Sequence, residues 1–172
     1  MNVLYTSQEQ VQVYKFSLPV SIGVPLLSIF IQSFVSAHFF WLAIFDLPLL
    51  VTIFFAVARR NPISGLATGG AIGIVQDSLT THLIGMFGIA KTIIGYIGSS
   101  LGVKLDVENP GSRMILCFGF YLMHQAIYLL TSRGLAGEAF SFAWSKLMLG
   151  AFANAFMSVP LFAILDRFKM RV

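Results

Sequence analysis

Few residues of this chain could carry chemistry, and those few lie in apolar stretches. Asp46, Asp77, Lys91, His124 and Asn154 are each flanked by runs of Leu, Ile, Phe, Gly and Ala. A charge or amide held in lipid is costly, so such residues usually face a bundle interior or a polar cavity. Asp77 has three readings from sequence. It caps a neighbouring helix, pairs with Lys91, or handles a proton or substrate. Lys91 enters the next apolar stretch from the same side, about two turns in, and a pairing would offset both burial penalties. Asp46, in Phe45-Asp46-Leu47-Pro48, suits an N-cap with proline in the first turn, or joins Asp77 in a polar cluster. His124-Gln125 and Asn154 read as interhelical hydrogen bonds. A lone histidine could also relay protons, but no chain of partners is visible.

Several chemistries are not supported. Phosphate-cradling G-x-x-x-x-G-K-[ST], H-E-x-x-H, C-x-x-C and G-x-S-x-G patterns do not occur. No nucleophile–base pair is recognisable, so no catalytic residue, enzyme activity or cofactor is expected. His38, His82 and His124 are scattered and form no metal-ligand spacing. The single cysteine, Cys117, allows no intrachain disulfide and reads as core filler.

A second pattern is structural. Gly65, Gly69, Gly73 and Asp77 recur every four residues, along one gently drifting helix face. Glycines at that spacing make a groove where another backbone approaches closely. The groove takes another helix of the same chain, a partner's helix, or a ligand. The internal reading is favoured for Gly65 and Gly69 and is less firm for Gly73.

The elements that must position these residues follow from composition. Of 172 residues, 57% are hydrophobic and 10% charged, against about 25% charged in a soluble domain. At ~20 residues per span the chain holds about six spans and no further domain. The reading is an all-α integral membrane protein, one domain over 1–172, with spans near 16–34, 40–58, 64–81, 84–103, 114–131 and 144–165. The first span carries Pro19 and Pro25, and Phe39, Phe40 and Trp41 suggest an interfacial belt. Spans three and four are separated only by Thr80, Thr81 and His82, which requires a tight turn. Residues 1–13 lack a basic region and a small-residue cleavage site, so no cleaved signal peptide is read.

Charge orients the bundle. The net charge of +4 would suggest nucleic acid in a soluble protein, but here the basic residues sit in short loops, and no nucleic-acid partner is expected. Lys15, Arg59, Arg60, Lys104, Arg113, Arg167, Lys169 and Arg171 share one side, and Arg133 and Lys146 the other. Basic loops stay cytoplasmic, so both termini are expected there.

The stretch Phe45 to Gly102 carries a resemblance. Asp46-Leu47-Pro48, an apolar helix, a basic break at Arg59-Arg60, Gly69-x-x-x-Gly73-x-x-x-Asp77 and then Gly85 resemble the MreD family of bacterial rod-shape-determining proteins. Length, six-span layout and the proline of Ser158-Val159-Pro160-Leu161 also fit, while Lys91 matches no basic position of the family. The resemblance implies a non-enzymatic inner-membrane scaffold of the cell-wall elongation machinery. Its partner would be an MreC-like bitopic protein, and through it MreB, RodA and a penicillin-binding transpeptidase. The layout is also similar to the S-components of energy-coupling-factor transporters, which implies an alternative, a vitamin-binding transporter subunit. The outer loops offer few polar groups for such a ligand: His38, Thr80-Thr81-His82, and the segment 133–138.

Overall fold

The computed structural model describes residues 14–80, 85–102, 109–136 and 143–171. A short strand β1 (Tyr14–Lys15) precedes α1 (Leu18–His38), a 3-10 helix (Phe40–Ile44), α2 (Leu47–Arg59) and α3 (Pro62–Leu79). Then come α4 (Met86–Gly102), α5 (Pro110–Ala136), α6 (Trp144–Asp166) and β2 (Met170–Arg171). The all-α reading holds, apart from this two-residue antiparallel pairing of Tyr14 with Arg171 and Lys15 with Met170.

The distribution of polarity is that of a membrane protein. Lys91, Asp77, His124 and Asn154 are fully buried, whereas Phe30, Ile115 and Phe156 are 70%, 76% and 64% exposed. Apolar patches of this extent point to lipid rather than water. Leu18–His38, Trp41–Arg59, Pro110–Gly134 and Trp144–Asp166 are long and apolar enough to cross a membrane. The glycine-rich α3 and α4, of 18 and 17 residues, are not among these four.

At the centre lies α2, buried on every side from Pro48 to Ala58. A helix apolar all round belongs in a core. Phe54 packs edge-on against Phe55 and Phe162, and Phe16 closes over both Phe54 and Phe55. Cys117 is buried within this core. At the end that carries β1 and β2, Arg113 of α5 pairs with Asp166 of α6 at 2.7 Å, and Lys169 reaches the same carboxylate.

Three boundaries differ from expectation. The second span is not one helix over 40–58. The chain breaks at Phe45 and Asp46 between the 3-10 helix and α2, because Asp46 caps the new helix and Pro48 lies in its first turn. Helix α1 runs to His38, past the expected 34, with Pro25 retained inside it. Helix α5 runs from Pro110 to Ala136, about a turn longer at each end than read from hydrophobicity. The turn between α3 and α4, including Thr81 and His82, lies largely outside the described residues, as does most of the polar stretch after α4.

The α3–α4 hairpin is held by the glycine stripe. A Cβ on Gly65 would collide with Ser99 Oγ and the Gly95 carbonyl, and one on Gly69 with the Lys91 carbonyl. At Gly73 the obstacles are the Phe87 carbonyl and Gly88 Cα, the latter at 2.6 Å. The approach is reciprocal, since a Cβ on Gly95 would meet the Gly65 carbonyl. In lipid, such backbone contact carries association through dispersion and weak Cα–H bonds. The groove is therefore filled from within the chain at all three glycines, Gly73 included.

Candidate functional site: a buried polar cluster beneath an outer cavity

The site begins with the break at Asp46. A backbone that leaves the helix at membrane depth must have its polar groups satisfied by protein. Asn154 of α6 does this for two groups at once. Its Oδ1 accepts from Asp46 N at 2.8 Å, and its Nδ2 donates to the Ile44 carbonyl at 2.9 Å. The same Nδ2 donates to the Gly150 carbonyl of its own helix. Gln32 of α1 supplies the third partner, its Oε1 accepting from Leu47 N at 3.1 Å. Asp46 itself caps α2 by accepting from Leu49 N at 2.9 Å.

The Asp46 carboxylate then meets Lys91. Nζ of Lys91 lies 3.0 Å from Oδ2 and 3.2 Å from Oδ1, with Lys91 wholly buried and Asp46 14% exposed. The third contact of Nζ is His124 Nε2 at 3.3 Å. An ammonium only donates, so Nε2 accepts and the ring proton sits on Nδ1. That Nδ1 is buried without a hydrogen-bond partner among the described residues. The His124 ring stacks on Phe87 at 5.9 Å, and Phe87 on Tyr128 at 4.9 Å. Nζ of Lys91 also lies 5.1 Å from the Phe87 ring. Asp46, Lys91 and His124 thus form one cluster drawn from α2, α4 and α5.

Asp77 stands apart from this cluster. Its Oδ2 accepts from Gly85 N and Gly88 N, both at 2.9 Å, and its Oδ1 from Phe87 N at 3.1 Å. It caps the start of α4, where free N–H groups and the helix dipole favour a carboxylate. The capping alternative is the one realised. An Asp77–Lys91 pair is not formed, and Asp46 clusters with Lys91 rather than Asp77. The reason is directional, because the bonds to residues 85–88 aim Asp77 at the α4 terminus. Gly85 makes the approach possible at φ +107°, a conformation that side-chain-bearing residues rarely adopt.

Above the cluster lies a cavity of about 670 Å³, at the end of the bundle opposite β1 and β2. Asp46 forms part of its floor, and Gln32, Gln76, Tyr121, Gln125 and Tyr128 line it. Gln76 is 94% buried by its 6% exposure, yet its Oε1 has no partner among the described residues. Sequence reasoning missed this cavity. Most of its polar lining comes from side chains within helices α1, α3 and α5, with Asp46 from the break before α2 and Thr80 alone from the outer turns where polar groups were sought. Among the described residues no three His, Cys, Asp or Glu side chains gather to hold a metal ion.

No family model matches the chain, and no curated protein or solved structure is significantly similar to it. Fold and site define a class: an all-α protein with membrane-crossing helices, a buried charge-balanced cluster and a polar cavity above it.

Proposed function

We propose that the chain is a non-enzymatic scaffold subunit of the cell-wall elongation machinery, of the MreD kind. In this reading it crosses the bacterial inner membrane six times, binds an MreC-like bitopic protein, and connects through it to MreB, RodA and the penicillin-binding transpeptidase. The observation that carries the reading is the work done by the residues of the resemblance. Asp46 and Pro48 start α2, Gly69 and Gly73 seat α4 on α3, and Asp77 with Gly85 fixes the start of α4. All are architectural, as a scaffold requires. Because α4 fills the glycine face, a partner helix would dock elsewhere on the apolar exterior. Pairing of β1 with β2 brings the two ends of the described chain to one side, which supports an even number of crossings. The basic residues of that side support its cytoplasmic placement. The test is a pull-down of the tagged protein from detergent-solubilised bacterial membranes, read by mass spectrometry. Enrichment of MreC-like and wall-synthesis proteins is expected, and their absence alongside an intact, folded bait would overturn the reading.

The cavity favours a second reading, a small-molecule-binding subunit similar to the S-components. Its volume is that of a ligand site with a few convergent polar groups. In that case the pull-down would return paired ATPases, and a vitamin would raise the melting temperature of the purified protein.

A further inference from the structure

The opposite end of the bundle carries a feature that neither reading uses. Arg59 closes α2 and lies half-buried against Phe16 and Phe55, its guanidinium 5.7 Å and 4.9 Å from the two rings. Among the described residues its hydrogen bonds go to hydroxyls only: Ser21 at 2.7 Å, Thr68 at 3.1 Å and Ser64 at 3.2 Å. These oxygens orient the guanidinium without neutralising it. Arg60 follows, and its Nε is buried with no partner among the described residues. The ion pairs among the described residues are Lys91–Asp46, Arg113–Asp166 and Lys169–Asp166. Two adjacent cations therefore stand at this membrane edge with no acidic partner among the described residues.

Beside Arg59 runs a groove of about 320 Å³ between α1 and α3. Ser21 and Thr68, the residues that hold Arg59, form its polar end. The remainder is apolar, with Pro25, Ile29 and Ile72 as a buried floor and Ala71 among the exposed residues of its rim. From Ser21 to Ile29 is eight residues, about 12 Å along the helix, so the groove runs from the charged edge toward mid-bilayer. A cationic end leading into a narrow apolar trough is the complement of an amphiphile with an anionic head.

We propose that this groove seats an acyl chain of an anionic glycerophospholipid from the leaflet on the side of the termini, with its phosphate paired to Arg59 and Arg60. The two basic side chains supply the headgroup preference, and the α1–α3 trough supplies the position. The proposal uses the membrane reading of the helices and is independent of which partner or ligand the protein serves.

The test is native mass spectrometry of the full-length protein in detergent, titrated with phosphatidylglycerol and with phosphatidylcholine of the same chains. Preferential retention of phosphatidylglycerol is expected, about fivefold for each arginine engaged. Arg60→Gln removes no hydrogen bond within the described protein and should lower the preference about fivefold. Arg59→Gln should do the same, and should the loss of its hydroxyl contacts prevent folding, Arg60→Gln still decides the headgroup question. Ala71→Phe fills the trough without touching either arginine and should weaken retention of both lipids. Lys146→Gln, which removes an exposed cation from the far end, should change nothing. Equal retention of the two lipids by the native chain would overturn the proposal. So would an undiminished preference in Arg60→Gln, or undiminished binding in Ala71→Phe.

Discussion

Lys91 Nζ and Asp46 Oδ2 lie 3.0 Å apart across 45 residues of sequence. One end of this contact caps α2 and the other projects from the second turn of α4, so the ion pair ties the start of the central helix to the α3–α4 hairpin. The two burial penalties offset each other only while both charges are present.

Removing one partner should therefore cost more than removing both. Lys91→Met leaves a carboxylate without its cation and is expected to destabilise by about 3 kcal/mol, the low end for a broken buried pair because Asp46 borders the cavity. Asp46→Asn with Lys91→Met should cost clearly less than the sum of the single changes. Asp77→Asn with Lys91→Met should be additive within about 0.5 kcal/mol. Unfolding of the native protein, the three single variants and the two doubles in detergent measures both cycles, and additivity at Asp46–Lys91 would show that the contact carries no coupling.

Asp77 anchors three backbone N–H groups. Asp77→Ala should cost about 1–3 kcal/mol, the penalty for buried donors left unmade. Asp77→Asn should recover part of this, since its carbonyl oxygen still accepts. Gly85→Ala is expected to cost about 1–3 kcal/mol through backbone strain alone. Amide exchange at Phe87 and Gly88 should quicken in all three variants, and unchanged exchange would remove Asp77 from its capping role.

Gly69→Leu drives a side chain into the Lys91 carbonyl. The obstacle is backbone, so no side chain can swing aside, and a loss of about 3 kcal/mol or failure to accumulate in membranes is expected. Gly119, with nothing within 4 Å of an added Cβ, is the control. Gly119→Ala should be neutral or stabilising by up to about 1 kcal/mol. Equal melting temperatures for Gly69→Leu and the native chain would deny the hairpin its close contact.

Gln76 presents a buried amide oxygen with no partner among the described residues. Gln76→Leu relieves that penalty and should stabilise the ligand-free protein by about 1 kcal/mol. If a small molecule uses the cavity, the same change should weaken its binding. A destabilised Gln76→Leu protein would mean the amide contributes to the fold itself.

The β1–β2 pairing places Tyr14 opposite Arg171, so the two ends of the described chain lie together. A periplasm-active reporter fused after Val172 should be silent, and a cytoplasm-active one should function. The opposite pattern would reverse the orientation drawn from the basic residues.

How much of this was legible from the chain follows from which interactions are local. Apolar runs and the scarcity of charge specify membrane-crossing helices, because hydrophobicity is a property of each segment. The spacing of Gly65, Gly69 and Gly73 specifies a close-packing face for the same reason, since helical periodicity alone lays them in a row. Capping is nearly as local: Asp46 reaches Leu49 three residues on, and Asp77 reaches the helix that follows. Partner choice among the buried polar residues was not legible. Lys91 is nearer to Asp77 in sequence, yet packing of α4 across α2 and α5 brings Asp46 and His124 to its ammonium. The role of Asn154 was equally hidden, because the backbone groups it satisfies, at Ile44 and Asp46, lie more than a hundred residues away. The cavity and the α1–α3 groove are spaces between helices, and a space has no residue of its own to announce it. Only the tertiary arrangement decides these features. In lipid, helices gain little from apolar contact, so backbone approach and buried polar bonds select the packing, and those form only once helices distant in sequence have met.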